Sequence, residues 1–355
     1  MQAAGRDRPA GGHKPRSGAK DVARLAGVST ATVSRVLNNS QQVDPATRQR
    51  VLDAATKLRY VPHGAARTLR SQRSKMIGAI VPSFDYALYA RTTSALQRAL
   101  DERGYALVLA EHHYELATET RIAQQLIEHG VDAFMLVGLD HEQALFSLLE
   151  DHARPFVLTW GVDPLQRHPC IGFDNTAATD ATARHLIALG HRHIGLLSAP
   201  LEGNDRARAR GEGLRMALAE HGLTLDPEHV AYAPIALATA ETGMERILRA
   251  RTRPTAVVAT NDVFAVGAML ACRKAGIDVP GDISITGVDN TDLGATQTPG
   301  LTSVATPIVD IGRAAADQLV ARLEGSPWDA SRQFPVELVV RGSTAPPPGK
   351  RAASR

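Results

Sequence analysis

The sequence has few cysteines and no long apolar run. Its 355 residues include only Cys170 and Cys272, which excludes a disulfide framework and a cysteine-rich zinc module. No window approaches 18 uncharged apolar residues, so no membrane-spanning helix is expected. Residues 1–20 are basic and lack the apolar stretch of a signal peptide. We therefore expect a cytoplasmic protein that does not associate with a membrane.

Sequence signatures of several enzyme classes are also missing. The chain contains no GxSxG elbow, no Walker A motif and no HExxH motif. The segment Gly211-Glu-Gly213 lacks a third glycine and does not follow a predicted strand, so it is not a dinucleotide fingerprint. The closely spaced histidines at 112–113 and 191–193 have no cysteine partner motif for zinc. We expect neither enzymatic activity nor a bound cofactor or metal.

Positive charge is concentrated at one end of the chain. Residues 1–75 hold 15 Lys and Arg against 4 Asp and Glu, a net charge of +11, whereas residues 76–355 hold 25 against 33, a net charge of −8. A basic head on an acidic body is typical of a nucleic-acid-binding module fused to another domain. A solvated basic tail is the simpler alternative. The length allows two or three domains.

Residues 19–61 carry the local signals of a helix-turn-helix. An apolar stripe of Val22, Leu25 and Ala26 predicts a first helix that ends at Gly27. Ser29 is a suitable N-cap for a second helix with Val33, Val36 and Leu37 on its inner face, and Asp44-Pro45 begins a third helix. The predicted inner face of the third helix comprises Val51, Leu52, Ala55 and Leu58. Residues 1–18, rich in glycine, proline and arginine, are expected to be a disordered tail.

The outer face of the second helix favours DNA binding over a purely structural helix bundle. Small side chains allow a helix to approach the floor of the major groove, and a single arginine can then reach a guanine edge. The predicted major-groove contacts are Thr30, Ala31 and Arg35. Hydroxyl and amide groups near a helix start suit phosphates. The predicted phosphate contacts are Ser29, Thr32, Ser34 and Asn38.

From residue 75 onward, short apolar runs alternate with helical patterns. The pattern predicts strands at 76–81, 105–110, 133–137, 155–159, 193–198, 256–259 and 283–287, with helices between them, the first at 93–103. Two such series predict two α/β subdomains with parallel sheets and a cleft between them. The predicted boundaries are 75–175 with 306–333 for one subdomain, and 176–305 with 334–345 for the other.

Polar and aromatic side chains follow several of the predicted strands, where parallel sheets bind ligands. The polar group includes Asp174, Asn261, Asp262 and Asp289, together with the arginines Arg206, Arg208 and Arg210. The aromatic group comprises Phe84, Tyr86, Tyr89 and Trp160. Aromatic rings could stack on a sugar face, but ordinary core packing is an equal alternative for each ring alone. Instead of contacting a ligand, Asp262 could cap a helix, and two of the three arginines could form surface ion pairs.

Both halves of the sequence resemble the LacI/GalR family of bacterial transcriptional regulators. The stretch AKDVARLAGVSTATVSRVLNN at 19–39 is similar to the DNA-binding head of that family. The stretches LGHRHIG at 189–195, TNDVFAVGA at 260–268 and VPGDISITGVDN at 279–290 are similar to its effector domain, which resembles periplasmic sugar-binding proteins. The resemblance covers about residues 19–345. Gly18 departs from the capping threonine usual in the family.

The resemblance implies the function and the site residues. It implies a homodimeric repressor on a palindromic operator, with residues 62–74 as a hinge helix that contacts the minor groove through Ala66, Leu69 and Arg70. It implies a small-molecule effector, a sugar or sugar derivative, controlling operator affinity. The expected contacts are Phe84, Tyr89, Trp160, Asp174, Arg208, Arg210, Asn261 and Asp289. Arg208 matches the arginine of sugar-responsive members and Arg210 that of purine-responsive ones, which leaves the ligand class open.

Three features limit these expectations. The loop Ser83–Tyr89 departs from the family pattern, so a particular ligand does not carry over. Residues 346–355 lack apolar heptads and are expected to be a disordered tail without a tetramerising coil. A solute-binding protein and a sugar-modifying enzyme are alternatives for the body. The basic head opposes the first, and no general acid/base pair supports the second.

Overall fold

The computed structural model describes residues 18–37, 42–61, 73–327 and 331–349. The chain separates into two compact units, Met1–Ser74 and Lys75–Arg355. Within the described ranges, the helices are all too short or too polar to cross a membrane.

The first unit contains three helices whose ends follow from local sequence signals. They are α1 (Ala19–Ala26), α2 (Thr30–Leu37) and α3 (Pro45–Lys57). Helix α1 ends at Gly27, whose φ of 68° is costly for residues with a side chain. Before α2, the Ser29 hydroxyl accepts a hydrogen bond from the Thr32 amide at 3.1 Å. Before α3, the Asp44 carboxylate accepts from the Thr47 amide at 2.9 Å. The predicted helix-turn-helix is confirmed.

The core of the first unit differs from the prediction at two leucines. Leu25 is 47% exposed and Leu52 is 41% exposed, so both predictions of an inward side chain are wrong. Successive helical residues are rotated by about 100°, and each leucine lies roughly a quarter turn or more from the centre of the buried stripe. The stripes are instead completed by alanines. The buried core comprises Val22, Ala23, Ala26, Val33, Val36, Val51, Ala54 and Ala55.

The second unit alternates strands and helices along most of its length. Its strands are β1 (Met76–Val81), β2 (Ala106–Glu111), β3 (Ala133–Val137), β4 (Phe156–Thr159), β5 (Cys170–Gly172), β6 (Ile194–Ser198), β7 (Val230–Tyr232), β8 (Ala256–Ala259), β9 (Ser284–Asp289), β10 (Thr302–Ala305), β11 (Arg332–Gln333) and β12 (Glu337–Val339). Its helices are α4 (Ala87–Asp101), α5 (Leu116–Glu128), α6 (Gln143–Asp151), α7 (Asn175–Leu189), α8 (Asp205–Glu220), α9 (Leu237–Leu248), α10 (Asp262–Lys274), α11 (Asp292–Ala295) and α12 (Ile308–Leu323).

These strands form two six-stranded sheets, which define two lobes. The first lobe has the strand order β11-β5-β4-β3-β1-β2, and all of its strand pairs are parallel. The second lobe has the order β12-β10-β9-β8-β6-β7, in which only the β10–β12 pair is antiparallel. Helices cover both faces, which is why β3 (AFMLV) is buried at every position. The predicted fold class is confirmed.

The chain passes between the two lobes three times. The passages lie between β5 and α7, between β10 and α12, and between β11 and β12. The sequence pattern did not predict the short strands β5, β7, β10, β11 and β12, because strands of two to four residues carry little periodicity. Helix α4 starts at Ala87 rather than at residue 93, and no side chain caps its first turn to mark that start.

Candidate functional site

Helix α2 of the first unit presents small residues and one long cation to its surroundings. Thr30, Ala31 and Arg35 are exposed, whereas Val33 and Val36 on the opposite face are buried. The Ser29 hydroxyl lies 3.0 Å from the Thr32 hydroxyl, so both are held at the start of the helix. Such a face is shaped to enter a major groove. The other predicted contacts Asn38, Ala66, Leu69 and Arg70 lie outside the described residues.

The second unit contains a cleft between its lobes, with two connected spaces. The outer space, here called the mouth, has a volume of about 800 Å³. The inner space, here called the deep cavity, has a volume of about 30 Å³. Both spaces are lined by Tyr86 and Tyr114 of the first lobe and by Ala199, Asn204 and Ile235 of the second lobe. The cleft thus continues from the mouth into the deep cavity.

Aromatic side chains of the first lobe form one wall of the deep cavity. The rings of Tyr86 and Tyr89 meet edge to face with centroids 5.4 Å apart, and those of Tyr89 and Trp160 meet at 5.2 Å. Trp160 is 1% exposed, and its indole Nε1 has no hydrogen-bond partner within the described part of the chain. A buried indole N–H usually donates to a partner. This wall therefore offers both apolar surface and a hydrogen-bond donor.

Polar side chains of the second lobe form the opposite wall. The guanidinium of Arg210 is buried and donates through Nε to Asn175 Oδ1 at 2.9 Å and through Nη1 to the Thr260 carbonyl at 2.6 Å. Asn175 in turn donates to the Trp160 carbonyl at 2.7 Å. Asn261 caps α10 by accepting from the Phe264 amide at 2.8 Å. These bonds hold Arg210 and Asn261 in place without a ligand.

Asp289 at the end of β9 joins the two lobes. Its carboxyl accepts a hydrogen bond from the Tyr86 hydroxyl of the first lobe, and its Oδ1 lies 3.6 Å from Arg210 Nη2. Burial raises the pKa of Asp289 to about 7, and the nearby Arg210 charge only partly opposes that shift. The backbone φ of Asp289 is 108°, an uncommon value for a residue other than glycine. Strained conformations of this kind concentrate at functional sites.

The three arginines of α8 differ in their surroundings. Arg206 is buried, and a Cβ atom at Gly138 of the first lobe would lie 1.9 Å from its Nη1. Arg208 is exposed and donates from Nη2 to both carboxylate oxygens of Asp140 in the first lobe, at 2.5 and 2.6 Å. Arg208 therefore forms an ion pair at the surface, whereas Arg206 and Arg210 point into the protein.

The structure brings together five of the eight predicted effector contacts. Tyr89, Trp160, Arg210 and Asn261 line the deep cavity, and Asp289 lies behind Tyr86. The other three lie elsewhere, and their part in binding stays a prediction. Phe84 is 43% exposed, Arg208 pairs with Asp140, and Asp174 caps α7 by accepting from the amides of residues 176 and 177.

Sequence reasoning missed other residues of the cleft. Tyr114 lies in a turn after β2, and Asn204 caps α8 by accepting from the Ala207 amide at 3.2 Å. Ile235 lies between β7 and α9, outside any periodic pattern. Tyr114 and Ile235 carried no local signal, but the cap position of Asn204 could have been recognised from the helix that follows it.

Comparisons with known proteins agree with this architecture. Residues 19–63 match the family model of bacterial regulatory proteins of the lacI family, and residues 183–344 match that of the periplasmic binding protein-like domain. The transcriptional regulator MalR of Streptomyces coelicolor is 34% identical over 338 residues, which cover 93% of this chain and 97% of that relative. The transcriptional repressor CytR of Escherichia coli is 31% identical over 329 residues, covering 92% and 95%.

Solved structures give the same result. The Lac repressor dimer bound to operator and the anti-inducer ONPF matches with a TM-score of 0.82 at 27% identity, covering 92% of this chain and 98% of that one. A complex of the transcriptional regulator CelR with cellobiose matches with a TM-score of 0.69 at 29% identity, covering 92% and 100%. The chain therefore belongs to the LacI family: it is a DNA-binding transcriptional regulator with an effector-binding domain of periplasmic-binding-protein-like fold, not an enzyme.

Proposed function

We propose that this regulator is a repressor that binds a palindromic operator as a homodimer, with an affinity controlled by a sugar or sugar derivative bound between the lobes. The observation that carries the proposal is the construction of the cleft. Its aromatic wall comes from one lobe and its charged wall from the other. A ligand that contacts both walls must favour one relative position of the lobes.

The DNA-reading part of the proposal rests on α2. Arg35 is the long, exposed cation on a face whose other predicted base contacts, Thr30 and Ala31, are small. A planar guanidinium can donate two hydrogen bonds to a guanine edge. The phosphate contacts are assigned to Ser29, Thr32, Ser34 and Asn38, and the minor-groove contacts to Ala66, Leu69 and Arg70. A dimer would place two copies of α2 in successive major grooves of a palindrome.

The proposed ligand class follows from the chemistry of the cleft. Sugars present apolar C–H faces and hydroxyl groups, which suit aromatic rings beside fixed donors and acceptors. The aromatic rings are those of Tyr89 and Trp160. The hydrogen-bonding groups are those of Arg210, Asn261 and the indole N–H of Trp160. The CelR–cellobiose complex, whose fold this chain shares, is an example of this fold holding a saccharide.

Control of DNA binding is proposed to act through the contacts that join the lobes. Tyr86 bonds Asp289, and Arg208 bonds Asp140, each pair with one member in either lobe. A ligand shifts the equilibrium between lobe positions only by the difference in its affinity for them. These two pairs are among the contacts that a change of lobe position would break or remake.

The test is a selection of DNA sites from a random pool with the full-length protein, followed by binding titrations with and without sugars and nucleosides. We expect one palindromic site, and at least one saccharide that changes its affinity. Arg35→Ala should lose preference at one base of each half-site and weaken binding by ~1–3 kcal/mol. Arg50→Ala, an equal loss of charge on α3, is the control and should leave base preference unchanged. DNA binding without sequence preference would refute the proposal.

A further inference from the structure

The mouth of the cleft is too large to be merely the entrance to the deep cavity. Its volume of about 800 Å³ falls within the ~300–1,000 Å³ of sites that enclose drug-sized ligands. The deep cavity, about 30 Å³, has room for little more than a water molecule with the lobes in this position. A ring can therefore enter the deep cavity only if the lobes separate, whereas the mouth can hold a ring without movement.

The walls of the mouth have the surface that a sugar ring requires. Apolar and aromatic side chains come from both lobes: Tyr86, Tyr114 and Leu116 from the first, and Pro200, Pro234 and Ile235 from the second. Four carboxylates lie among them: Asp85, Glu115, Glu142 and Glu202. Carboxylates accept strong hydrogen bonds from hydroxyl groups, and apolar walls pack against C–H faces.

The charge of the mouth sets a second constraint. Among the described residues that line it there are four carboxylates, one histidine (His113) and no lysine or arginine. Glu115 and Glu142 already accept hydrogen bonds from Thr118 and Thr120, at 3.0 and 2.8 Å, which fixes their positions. An anionic group in the mouth would face these carboxylates without a lysine or arginine to compensate them, which is unfavourable in a partly enclosed site.

We infer that the mouth is a second saccharide subsite, and that the effector is a saccharide of two or more rings without an anionic group. One end reaches the aromatic and charged walls of the deep cavity, and the next ring lies between the two lobes in the mouth. This inference rests on the proposed sugar-responsive function. It adds that ring number and absence of negative charge determine which sugars the regulator detects.

A variant that fills the mouth separates this inference from the function on which it rests. Ala117 is an exposed residue in the first turn of α5 and lines the mouth but not the deep cavity. Ala117→Trp therefore fills the second subsite and leaves the first intact. Ala219→Trp is the matched control, because Ala219 is exposed near the end of α8 and lines neither space.

The experiment is calorimetric titration of the full-length protein and the two variants with a saccharide panel. The panel contains glucose, galactose, glucosamine and glucose 6-phosphate, and the disaccharides maltose, cellobiose, lactose and melibiose. We expect at least one disaccharide to bind tenfold or more tightly than its component monosaccharides, and glucose 6-phosphate to bind more weakly than glucose or not at all. Ala117→Trp should remove the advantage of that disaccharide, and Ala219→Trp should preserve it.

Different failures have different meanings. A monosaccharide that binds as tightly as every disaccharide overturns the second subsite while leaving a sugar-responsive regulator intact. Disaccharide binding that Ala117→Trp does not weaken has the same meaning. Tighter binding of glucose 6-phosphate than of glucose overturns the exclusion of anionic ligands, whereas tighter binding of glucosamine agrees with the four carboxylates of the mouth. If no saccharide of the panel binds, the inference is overturned. If a nucleoside rather than a sugar changes operator affinity in the DNA-binding titrations, the proposed sugar effector is wrong as well.

Discussion

Replacement of Asp289 by asparagine should change how the stability of the second unit depends on pH. The pKa of this buried carboxyl is raised to about 7 by burial, against ~3.9 in an unfolded chain. Between these values the unfolded chain has released the proton and the folded protein still holds it. The stabilisation from this group is therefore complete below pH ~4 and is lost as pH rises towards 7. Asparagine has no proton to release.

The magnitude follows from linkage. While the folded state holds one proton more than the unfolded state, the free energy of unfolding falls by ~1.4 kcal/mol for each pH unit. From pH 5 to pH 7, the wild-type protein should thus lose about 2–3 kcal/mol relative to Asp289→Asn. Above about pH 8, the two curves should run nearly parallel, because the carboxyl is then ionised in both the folded and the unfolded protein.

The assay is urea unfolding at 25 °C, followed by circular dichroism at half-unit steps from pH 4.5 to 8.5. Histidines and other titrating groups are common to both proteins, so their effects cancel in the difference. Asp292→Asn, the same change of charge at an exposed position nearby, is the control for charge alone. Parallel curves for wild type and Asp289→Asn from pH 5 to 7 would show that the buried carboxyl does not retain its proton, and would refute the reasoning.

Three further changes test other parts of the structure. Asp44→Ala removes the cap of α3 and should cost about 1 kcal/mol, measured as faster hydrogen exchange of the α3 amides; unchanged exchange would contradict the capping role. Gly138→Ala places a methyl group against the guanidinium of Arg206, which lines the deep cavity, and should weaken saccharide binding in calorimetry without altering the binding of DNA alone. A double-mutant cycle on Arg208 and Asp140 should yield a coupling of only ~0.2–1 kcal/mol in urea unfolding, because the arginine is half exposed.

The elements that the sequence predicted well carry their signals within a few residues. Gly27 ends α1 because it adopts a positive φ, and the carboxylate of Asp44 satisfies an otherwise free amide of α3. The long parallel strands were recognisable because burial on both faces requires an unbroken apolar run, as in β3. The direction in which a helical side chain points was harder to predict. Leu25 and Leu52 are apolar, yet both are exposed, so residue type alone did not indicate which helix face is buried.

The cleft shows the limit of that reasoning more clearly. Asn261 and Asp289 were predicted because they end strands in a parallel sheet, and their placement at one edge follows from the topology. The choice among Arg206, Arg208 and Arg210 could not be made from the chain, because residues two apart on a helix point in different directions. Tyr114 and Ile235 belong to loops of separate lobes and meet only when the two sheets face each other.

The sequence by itself therefore determined the two-part organisation, the helix-turn-helix with its exposed small residues and Arg35, and the two parallel sheets of the acidic body. Each of these depends on short-range periodicity, capping or composition. The tertiary structure alone decided that Arg206 and Arg210 are buried and Arg208 is not, that Tyr86 bonds Asp289 across the cleft, and that a mouth of about 800 Å³ lined by carboxylates adjoins a small aromatic cavity. These features arise from side chains that are up to about 200 residues apart in the chain, and no local pattern encodes their distance.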